Sequence, residues 1–379
     1  MRKKLLKLSH NYSSVKKRKI KNIGFICTSL DNVAGGLERQ IVRTCNALAE
    51  NNLNIFLMSY DNNDAKSFYK ISNKVKWIKC GNGLEPHKGA SLINRLRQVI
   101  SLRKKLINNN ITNLVTFHHG LFPRSLLASL FLDISRVVSE RNSLELYKYI
   151  KLSRFNLGFI SMFFADDITI QLEGYRSQYP ILLKNKITVI PNVIETSVDK
   201  NLKPKFDSNI ISMVGRLSEQ KNFEPILNQA SKQKMESQNY KINIAGDGPL
   251  RSYFEDKYNK LIIDSNLELC GNIKNIDIFL SKASIFCLPS FWEGYPNSLV
   301  EALRIGLPII TTPRMANLKE FIEDGINGYV VDDKDLLRTA LKLLKDKSRL
   351  KIMGENSKNK FIKLTYNKPL EKWKKLLKF

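Results

Sequence analysis

Short apolar runs alternate with amphipathic stretches along the whole chain, which is typical of β–α units around parallel sheets. The first apolar run, residues 20–28, precedes a loop and then a helical pattern over residues 37–50, where Ile41, Cys45 and Leu48 share one face. Comparable runs predict further strands in the first half at 54–59, 75–78, 113–117, 136–139, 168–171 and 187–190. The pattern therefore predicts an α/β fold.

A polar segment bracketed by prolines, residues 191–204, interrupts this series. A second series follows, with lysine-rich helices after it and strands predicted at 210–214, 241–245, 267–270, 285–288, 308–312 and 328–331. We predict two doubly wound, Rossmann-like domains, residues 1–195 and 196–360, that face a central cleft. A basic and flexible segment is expected for residues 1–19, and a C-terminal helix over 361–379 is expected to pack back toward the first domain.

The composition narrows the classes of function. The 379 residues carry a formal charge of +27, which indicates attraction to an anionic partner, although an AT-rich genome would also enrich lysine. No uncharged apolar run reaches about 18 residues, so a spanning helix is not expected. The apolar stretch 155–165 predicts a buried helix or, as the alternative, a helix lying on a membrane surface. Scattered cysteines and the lack of paired histidine motifs predict no built-in metal site.

A pair of basic residues follows the first strand of the second series. Arg216 and Lys221 stand five residues apart in GRLSEQKN, between the strand and a helix that has Pro225 in its first turn. A guanidinium and an ammonium group beside the free amides of a helix N-terminus suit a diphosphate. In a chain this basic, solvated surface charge is the alternative interpretation.

Two glutamates lie in the segment SFWEGYPNSLVEAL. Glu293 lies in a loop, and Glu301 lies in the following helix, which we predict to begin near Asn297 or Ser298, both good N-caps. Free amides there, up to Leu299, would face a phosphate. Glu301 would accept hydrogen bonds from a ribose diol, as carboxylates do in dinucleotide sites. A capped helix with a solvated glutamate is the alternative.

Two glycine-containing segments precede predicted helices. Gly35 and Gly36 open the first helix, and glycines there let backbone amides approach a ligand closely. The segment GDGPL at 246–250 is most simply a turn that starts a helix with proline. Neither segment matches the GxGxxG or P-loop patterns.

The sequence resembles the family-4 retaining glycosyltransferases of the GT-B fold. Four motifs carry this resemblance: Gly35–Gly36, Arg216 with Lys221, GDGPL and the element from Glu293 to Glu301. The resemblance covers nearly the whole chain in the same order and spacing. The segments RLSEQKN and FWEGYPNSLVEAL are especially similar in sequence to the corresponding segments of bacterial enzymes that build capsules, O-antigens, exopolysaccharides or lipid-linked oligosaccharides.

That resemblance implies a reaction and its substrates. A retaining enzyme of this family transfers a sugar from a nucleotide diphosphate sugar to a glycan or lipid-linked acceptor, and family prevalence favours UDP as the nucleotide. No cofactor and no metal are implied, because basic side chains and helix amides supply the positive charge.

The resemblance also implies roles for residues of the donor site. Arg216 and Lys221 would hold the diphosphate, Glu301 the ribose and Glu293 the donor sugar. Gly36 would let the N-terminal loop close over the phosphates.

Further positions follow from the same resemblance. Backbone groups near Asn272 and Ile273 would meet the base. A histidine after a first-domain strand commonly faces the sugar, and VTFHHG offers His118 and His119. We prefer His118 for that role and place His119 near the acceptor, while a structural histidine remains the alternative for either.

The segment SERN contains two further candidates. Similar wording occurs near the acceptor in some members of the family, so Glu140 and Arg141 are predicted to contact the acceptor. A buried ion pair between them is an equally good interpretation.

Two rival functions and a location complete the predictions. A GT-B nucleotide-sugar epimerase would share the fold, and nucleic-acid binding rests on charge alone, so no specific nucleic acid is expected. The basic N-terminus and LINRLRQVISLRKK at 92–105 favour an anionic membrane surface, although an ordinary solvated basic face explains the latter equally. We expect a cytoplasmic protein at the inner face of a bacterial plasma membrane. The sequence leaves the oligomeric state open.

Overall fold

The computed structural model describes residues 21–81, 91–144, 156–195, 199, 202–232, 239–315 and 317–378. These residues form two parallel sheets that follow one another along the chain. All the predicted strands are present, with ends that differ by one or two residues, so the α/β prediction is confirmed. The basic segment 1–19 lies outside the described residues.

The first sheet has the strand order β3-β2-β1-β4-β5-β6-β7. Its central strand, residues 113–117, is buried at every position, because helices cover both faces of a parallel sheet. The strands are β1 (Asn22–Cys27), β2 (Asn54–Ser59), β3 (Val75–Lys79), β4 (Asn113–Phe117), β5 (Ser135–Ser139), β6 (Asp167–Ile170) and β7 (Ile187–Val189).

Helices of the first half lie in two layers. The helix α1 (Gly36–Ala49) connects β1 to β2, which lies on one side of β1 in the sheet. The connections after β3, β4, β5 and β6 run across the sheet in the other direction, and they contain α2 (Leu92–Asn108), α3 (Phe122–Ser129), α4 (Leu157–Ser161) and α5 (Ile181–Lys184). Right-handed crossovers therefore place α2 to α5 on the face opposite α1. Contacts between α2 and α3 and between α3 and α4 agree with this placement.

The second sheet has the strand order β10-β9-β8-β11-β12-β13. Its strands are β8 (Ile210–Val214), β9 (Lys241–Ala245), β10 (Leu267–Gly271), β11 (Ile285–Leu288), β12 (Ile309–Thr311) and β13 (Gly328–Val330). The helices of this half are α6 (Glu224–Ser231), α7 (Arg251–Lys257), α8 (Asn259–Ile263), α9 (Ile276–Ser281), α10 (Asn297–Ile305), α11 (Leu336–Leu344) and α12 (Lys347–Thr365).

The end of the chain returns to the first half. The helix α12 ends at Thr365 and a separate helix, α13 (Pro369–Leu376), follows, so residues 361–379 are not one continuous helix. Trp373 of α13 is fully buried in the core of the first half, and its ring centroid lies 5.6 Å from that of Phe25. Lys21 donates a hydrogen bond to the carbonyl of Leu377 at 2.9 Å, which fastens α13 beside β1.

The two halves touch where their strands end. Tyr175 donates a hydrogen bond to the main-chain carbonyl of Glu293. A Cβ atom at Gly294 would lie 2.0 Å from the carbonyl oxygen of Arg141, so this close approach requires glycine. The carboxyl ends of the two sheets therefore face each other across a narrow cleft.

Candidate active site

The strand order of both sheets defines where a ligand would bind. Connections leave β1 and β4 in opposite directions in the first sheet, and they do so at β8 and β11 in the second. Such switch points open a crevice at the carboxyl ends of the strands. The predicted residues follow these strands: Gly36 follows β1, His118 follows β4, Arg216 follows β8 and Glu293 follows β11.

Lys221 and Glu293 form a buried ion pair in this crevice. Lys221 Nζ lies 2.6 Å from Glu293 Oε1, and the two side chains are only 14% and 7% exposed. Ser290 Oγ donates to the same carboxylate oxygen at 2.7 Å. Asn222 adopts a left-handed conformation (φ 50°) that turns the chain into α6. Two of the predicted site residues are therefore in direct contact.

Arg216 is exposed at the end of β8 and faces the first half. Burial raises the pKa of Glu38, in the first turn of α1, and the positive charge of Arg216 opposes that rise. Among the described residues, none forms an ion pair with Arg216. The guanidinium group therefore lies at the cleft with its charge available to an anion.

Two helix N-termini converge at Asn297. This residue begins α10, and its Nδ2 atom lies 3.9 Å from the Cβ position of Gly36, which begins α1. Asn297 Oδ1 accepts hydrogen bonds from Gln40 at 3.1 Å and from Asn192 at 2.9 Å. The first-turn amides of two helices thus lie close together, and both helix ends carry partial positive charge.

The prediction that Asn297 or Ser298 caps α10 is wrong. Pro296 precedes the helix and makes no side-chain cap. The side chain of Asn297 is used to join the halves instead, while Ser298 and Leu299 are buried in the first turn. Among the described residues, no side chain accepts a hydrogen bond from the first-turn amides of α10.

Glu301 lies one turn into α10 and is 5% exposed. Arg39 Nη1 and Arg43 Nη1 of α1 lie 3.0 and 3.5 Å from its Oε1 atom. The two guanidinium groups form ion pairs with Glu301 but do not have the geometry of hydrogen bonds to it. Neither carboxylate oxygen of Glu301 accepts a hydrogen bond from the described residues. A buried carboxylate without hydrogen bonds is costly, and a hydroxyl donor would relieve that cost.

A narrow crevice lies between α1 and α10. Gln40, Arg43, Glu195, Asn297 and Glu301 line it together with apolar residues of the connection between the halves. Its walls combine cations, a carboxylate and amides, which suits the polar part of a nucleotide better than an apolar ligand.

His118 and His119 stack at the end of β4, with ring centroids 4.5 Å apart. His118 is partly exposed and has a φ of 85°, and its Nδ1 atom accepts a hydrogen bond from the amide of Gly120 at 3.0 Å. His119 is 1% exposed. Burial lowers the pKa of His118, which the charge of Glu140 opposes. His118 is therefore the histidine that the cleft can reach.

Glu140 is a buried anchor for this histidine pair. Its Oε2 atom lies 2.5 Å from His119 Nδ1, and its Oε1 atom accepts hydrogen bonds from the amides of Arg141 at 2.9 Å and Asn142 at 3.2 Å. Burial would raise the pKa of Glu140, but His118, His119 and the backbone amide outweigh it and hold the pKa at about 2.

One group of possible metal ligands occurs in the described part of the chain. Ligand atoms of His118, His119 and Glu140 all lie within 4.8 Å of one another. The carboxylate oxygens of Glu140 already accept the hydrogen bonds of the amides and of His119. The carboxylate of Glu140 is thus committed to hydrogen bonds within the protein.

Arg141 is also buried, at 6% exposure. Its guanidinium lies 4.3 Å from the centroid of the Phe117 ring and 5.9 Å from that of Trp373, and Nη1 donates to Asn192 Oδ1 at 2.9 Å. Burial lowers the pKa of Arg141 to about 9, although Glu140 opposes the shift. Glu140 and Arg141 are both buried in this structure, and their contact with the acceptor stays a prediction.

The predicted base contacts lie at the end of β10. Gly271 has a φ of 66°, and its carbonyl accepts a hydrogen bond from the amide of Gly246 at 2.7 Å. Asn272 is exposed, and Ile273 is partly buried. The structure places both residues on the same edge of the sheet as Arg216, beyond the adjacent strand β9.

Sequence reasoning missed Arg39, Gln40, Arg43 and Asn192. Each joins the halves through a partner far away in the sequence, such as Glu301 or Asn297. The only local signal was position, since Arg39, Gln40 and Arg43 follow the glycine pair within α1 and Asn192 follows β7.

Comparison with known proteins gives one match to a family model and a set of relatives. Residues 194–360 match the family model of the glycosyl transferases group 1. Over 360 residues the chain is 28% identical to a Campylobacter jejuni protein, with 94% of this chain and 98% of the relative covered. That protein is named GalNAc-alpha-(1->4)-GalNAc-alpha-(1->3)-diNAcBac-PP-undecaprenol alpha-1,4-N-acetyl-D-galactosaminyltransferase.

The chain is also similar to a second relative and to a solved structure. An Escherichia coli protein named UDP-Gal:alpha-D-GlcNAc-diphosphoundecaprenol alpha-1,3-galactosyltransferase is 31% identical over 195 residues, which are 47% of this chain and 50% of the relative. The TarM protein of S. aureus, in a complex that contains UDP, superposes with a TM-score of 0.77 at 13% identity and covers 94% of this chain and 99% of its own. At that identity the likeness shows the fold alone.

Proposed function

We infer that this chain is a glycosyltransferase that transfers a sugar from a UDP-sugar with retention of configuration. Its residues 194–360 match the group 1 family, and the chain has the GT-B fold. One observation carries the proposal. The N-termini of α1 and α10, Lys221 and the hydrogen-bond-poor carboxylate of Glu301 surround one cleft. Amides and cations suit a diphosphate there, and the carboxylate suits a ribose diol.

The chemistry follows from where charge develops. As the bond between sugar and diphosphate breaks, negative charge grows on the leaving phosphate oxygens. In this proposal, Lys221 and Arg216 stabilise that charge together with the amides of α1 and α10. The contact of 2.6 Å between Lys221 and Glu293 supports a shared site, in which Glu293 would contact the donor sugar.

Retention is proposed through attack on the same face from which the diphosphate leaves. The departing phosphate would take the proton of the acceptor hydroxyl, so no nucleophile of the protein is required. His118, the cleft-facing histidine, would contact the sugar. Positive charge from side chains and amides makes a metal unnecessary in this scheme, and full activity in EDTA is the expected result.

The acceptor is proposed to be a glycan on a lipid diphosphate carrier. Both relatives described above carry undecaprenol-linked acceptors in their names, as expected for assembly of a bacterial surface polysaccharide. We also propose that the protein works peripherally at the inner face of the plasma membrane. Nothing in the family or its relatives favours the epimerase alternative.

A direct test is to supply UDP-GlcNAc, UDP-GalNAc, UDP-Gal and UDP-Glc with a lipid-linked saccharide and to follow product formation by mass spectrometry. Nuclear magnetic resonance of the product then gives the anomeric configuration. Transfer from one UDP-sugar with an α linkage is expected. Epimer formation without an acceptor, or an inverted linkage, would contradict the proposal.

Replacing Glu301 with alanine should weaken UDP binding about 10- to 100-fold, because a charge-assisted pair of hydrogen bonds to the ribose would be lost. Isothermal titration calorimetry measures this directly. Glu323→Ala is the matched control, since Glu323 also pairs with a cation, Lys360, at 2.7 Å, but is 44% exposed and precedes β13 at the opposite edge of the sheet. Equal UDP affinity in the Glu301 and Glu323 variants would remove Glu301 from the nucleotide site.

A further inference from the structure

Large apolar side chains are exposed on one layer of the first half. Of the described residues, the exposed large hydrophobics before residue 190 all lie in α2 to α5 or in the turns that directly follow them. They are Leu92, Ile93, Leu96, Ile100, Ile107, Leu127, Leu130, Phe131, Leu157, Phe163, Phe164, Ile181 and Leu182. We call this set, with the helices that present it, the apolar helical layer.

The topology explains why these residues share one side of the molecule. The helices α2 to α5 all cover the face of the first sheet opposite α1. They are packed side by side, since α2 contacts α3, α3 contacts α4, and α5 contacts the turn Met162–Phe164. Their outer surfaces therefore lie on the same side of the molecule, and so many exposed apolar side chains on one side mark an interaction surface.

The helix α2 combines this patch with positive charge. Ile93, Leu96, Ile100 and Ile107 recur at three, four and seven residues, so they form one exposed stripe, while Val99, Leu102 and Leu106 face the sheet. Arg97 and Lys104 are exposed beside the stripe, and α2 contains no acidic residue.

Phe131 is the most exposed large side chain of the layer, at 96%. It follows α3 with a φ of 61°, a conformation that costs energy for a bulky residue. Hydrogen bonds hold the residues on either side of it in place. Arg103 donates to the carbonyl of Leu130 at 2.7 Å, and the amide of Leu132 donates to the carbonyl of Ser129 at 3.1 Å. The ring is thus held outward on a rigid turn.

The layer also reaches the cleft. In α4, the Cβ position of Gly158 lies 3.0 Å from the carbonyl oxygen of His119, so the start of this helix packs directly against the histidine pair. The preceding residue, Leu157, is 73% exposed. Exposed apolar side chains of the layer therefore occur on the helix that packs against the histidine pair.

We propose that the apolar helical layer docks on an anionic lipid bilayer, with Phe131 and the α2 stripe inserted among the headgroups. This inference rests on the proposed function, and it names the surface by which a membrane-borne acceptor is met. Apolar side chains flanked by arginine and lysine match an interface of acyl chains and anionic headgroups. No helix among the described residues has the length and apolarity to span a bilayer. The layer lies on the membrane and brings the histidine side of the cleft to its surface.

The test measures binding of the full chain to vesicles of phosphatidylethanolamine with about one third phosphatidylglycerol. The double variant Leu96→Ser with Phe131→Ser should lower vesicle partitioning at least about tenfold. The matched control, Ile263→Ser with Tyr366→Ser, removes apolar side chains that are 74% and 71% exposed in the second half, and its partitioning should stay at the wild-type value.

A second pair of variants tests the charge. Arg97→Ser with Lys104→Ser should lower partitioning on anionic vesicles and leave the weak binding to phosphatidylcholine vesicles unchanged. The control, Lys351→Ser with Lys363→Ser, removes two exposed lysines of α12 and should have little effect. Wild-type partitioning in both layer variants would overturn the proposal and assign binding to another segment, such as the basic residues 1–19.

UDP affinity, measured on the same proteins, separates this proposal from the proposed function. Layer variants that bind UDP normally but not vesicles support docking through the layer. A wild-type chain that binds vesicles through the layer but does not bind UDP would refute the proposed donor and leave the docking surface standing.

Discussion

Replacing Lys221 with methionine is expected to lower kcat by about 10²- to 10³-fold, with a change of less than about threefold in KM for the donor. Methionine keeps most of the aliphatic stem but removes the charge that lies 2.6 Å from Glu293. A charge that acts on the leaving diphosphate matters most in the transition state, so turnover rather than affinity should fall. Steady-state kinetics with the UDP-sugar identified above measures both constants.

The matched control for this variant is Lys241→Met. Lys241 lies 2.6 Å from Glu268 in a pair of the same length, but the two side chains are 37% and 50% exposed and lie away from the cleft. Its kinetics should equal those of the wild type. If Lys221→Met retains kcat within about threefold of the wild type, the leaving-group role is wrong.

Replacing Glu140 with alanine is expected to cost about 3 kcal/mol of unfolding free energy, because it leaves the buried His119 and two backbone amides without their acceptor. Urea unfolding monitored by circular dichroism measures the loss. Glu50→Ala is the control, since Glu50 forms only an exposed pair with Lys74 and should cost less than about 1 kcal/mol.

Acid provides an independent check on Glu140. Its pKa is about 2 in the folded chain against an ordinary value of 4.5, so its contribution to stability is complete above pH 4.5 and is lost as the pH falls toward 2. The unfolding free energy of Glu140→Ala should therefore decline less over that range than that of the wild type. Parallel acid profiles of the two proteins would show that Glu140 is not held as a buried carboxylate.

The fold was predictable because its signals are local. Apolar runs such as 54–59 and 113–117 match β2 and β4 without any shift, since parallel strands buried on both faces need continuous apolar sequence. The start of α10 at Asn297 was predictable too. The absence of a side-chain cap was not predictable. The side chain of Asn297 instead accepts hydrogen bonds from Gln40 and Asn192, and no local sequence pattern shows that these residues lie nearby.

The candidate site was predictable in part for the same reason. Lys221 and Glu293 follow strands that the topology brings together, and they meet. The environment of Glu301 was not foreseen, since Arg39 and Arg43 reach it from the other half of the chain. Arg141 was expected beside the acceptor or paired with Glu140. Its packing beside Phe117 and Trp373 was not foreseen, because it depends on where the last helix docks.

That last helix has a consequence for how the protein is made. Trp373 completes a core that begins with Phe25 in the first strand. On a ribosome, the first half would therefore emerge and pair its strands while that part of its core stays open until α13 has been released. Contacts between residues so far apart in the sequence form slowly. Maturation of the first half is thus coupled to the synthesis of α13, and a product truncated before α13 would lack an intact first half.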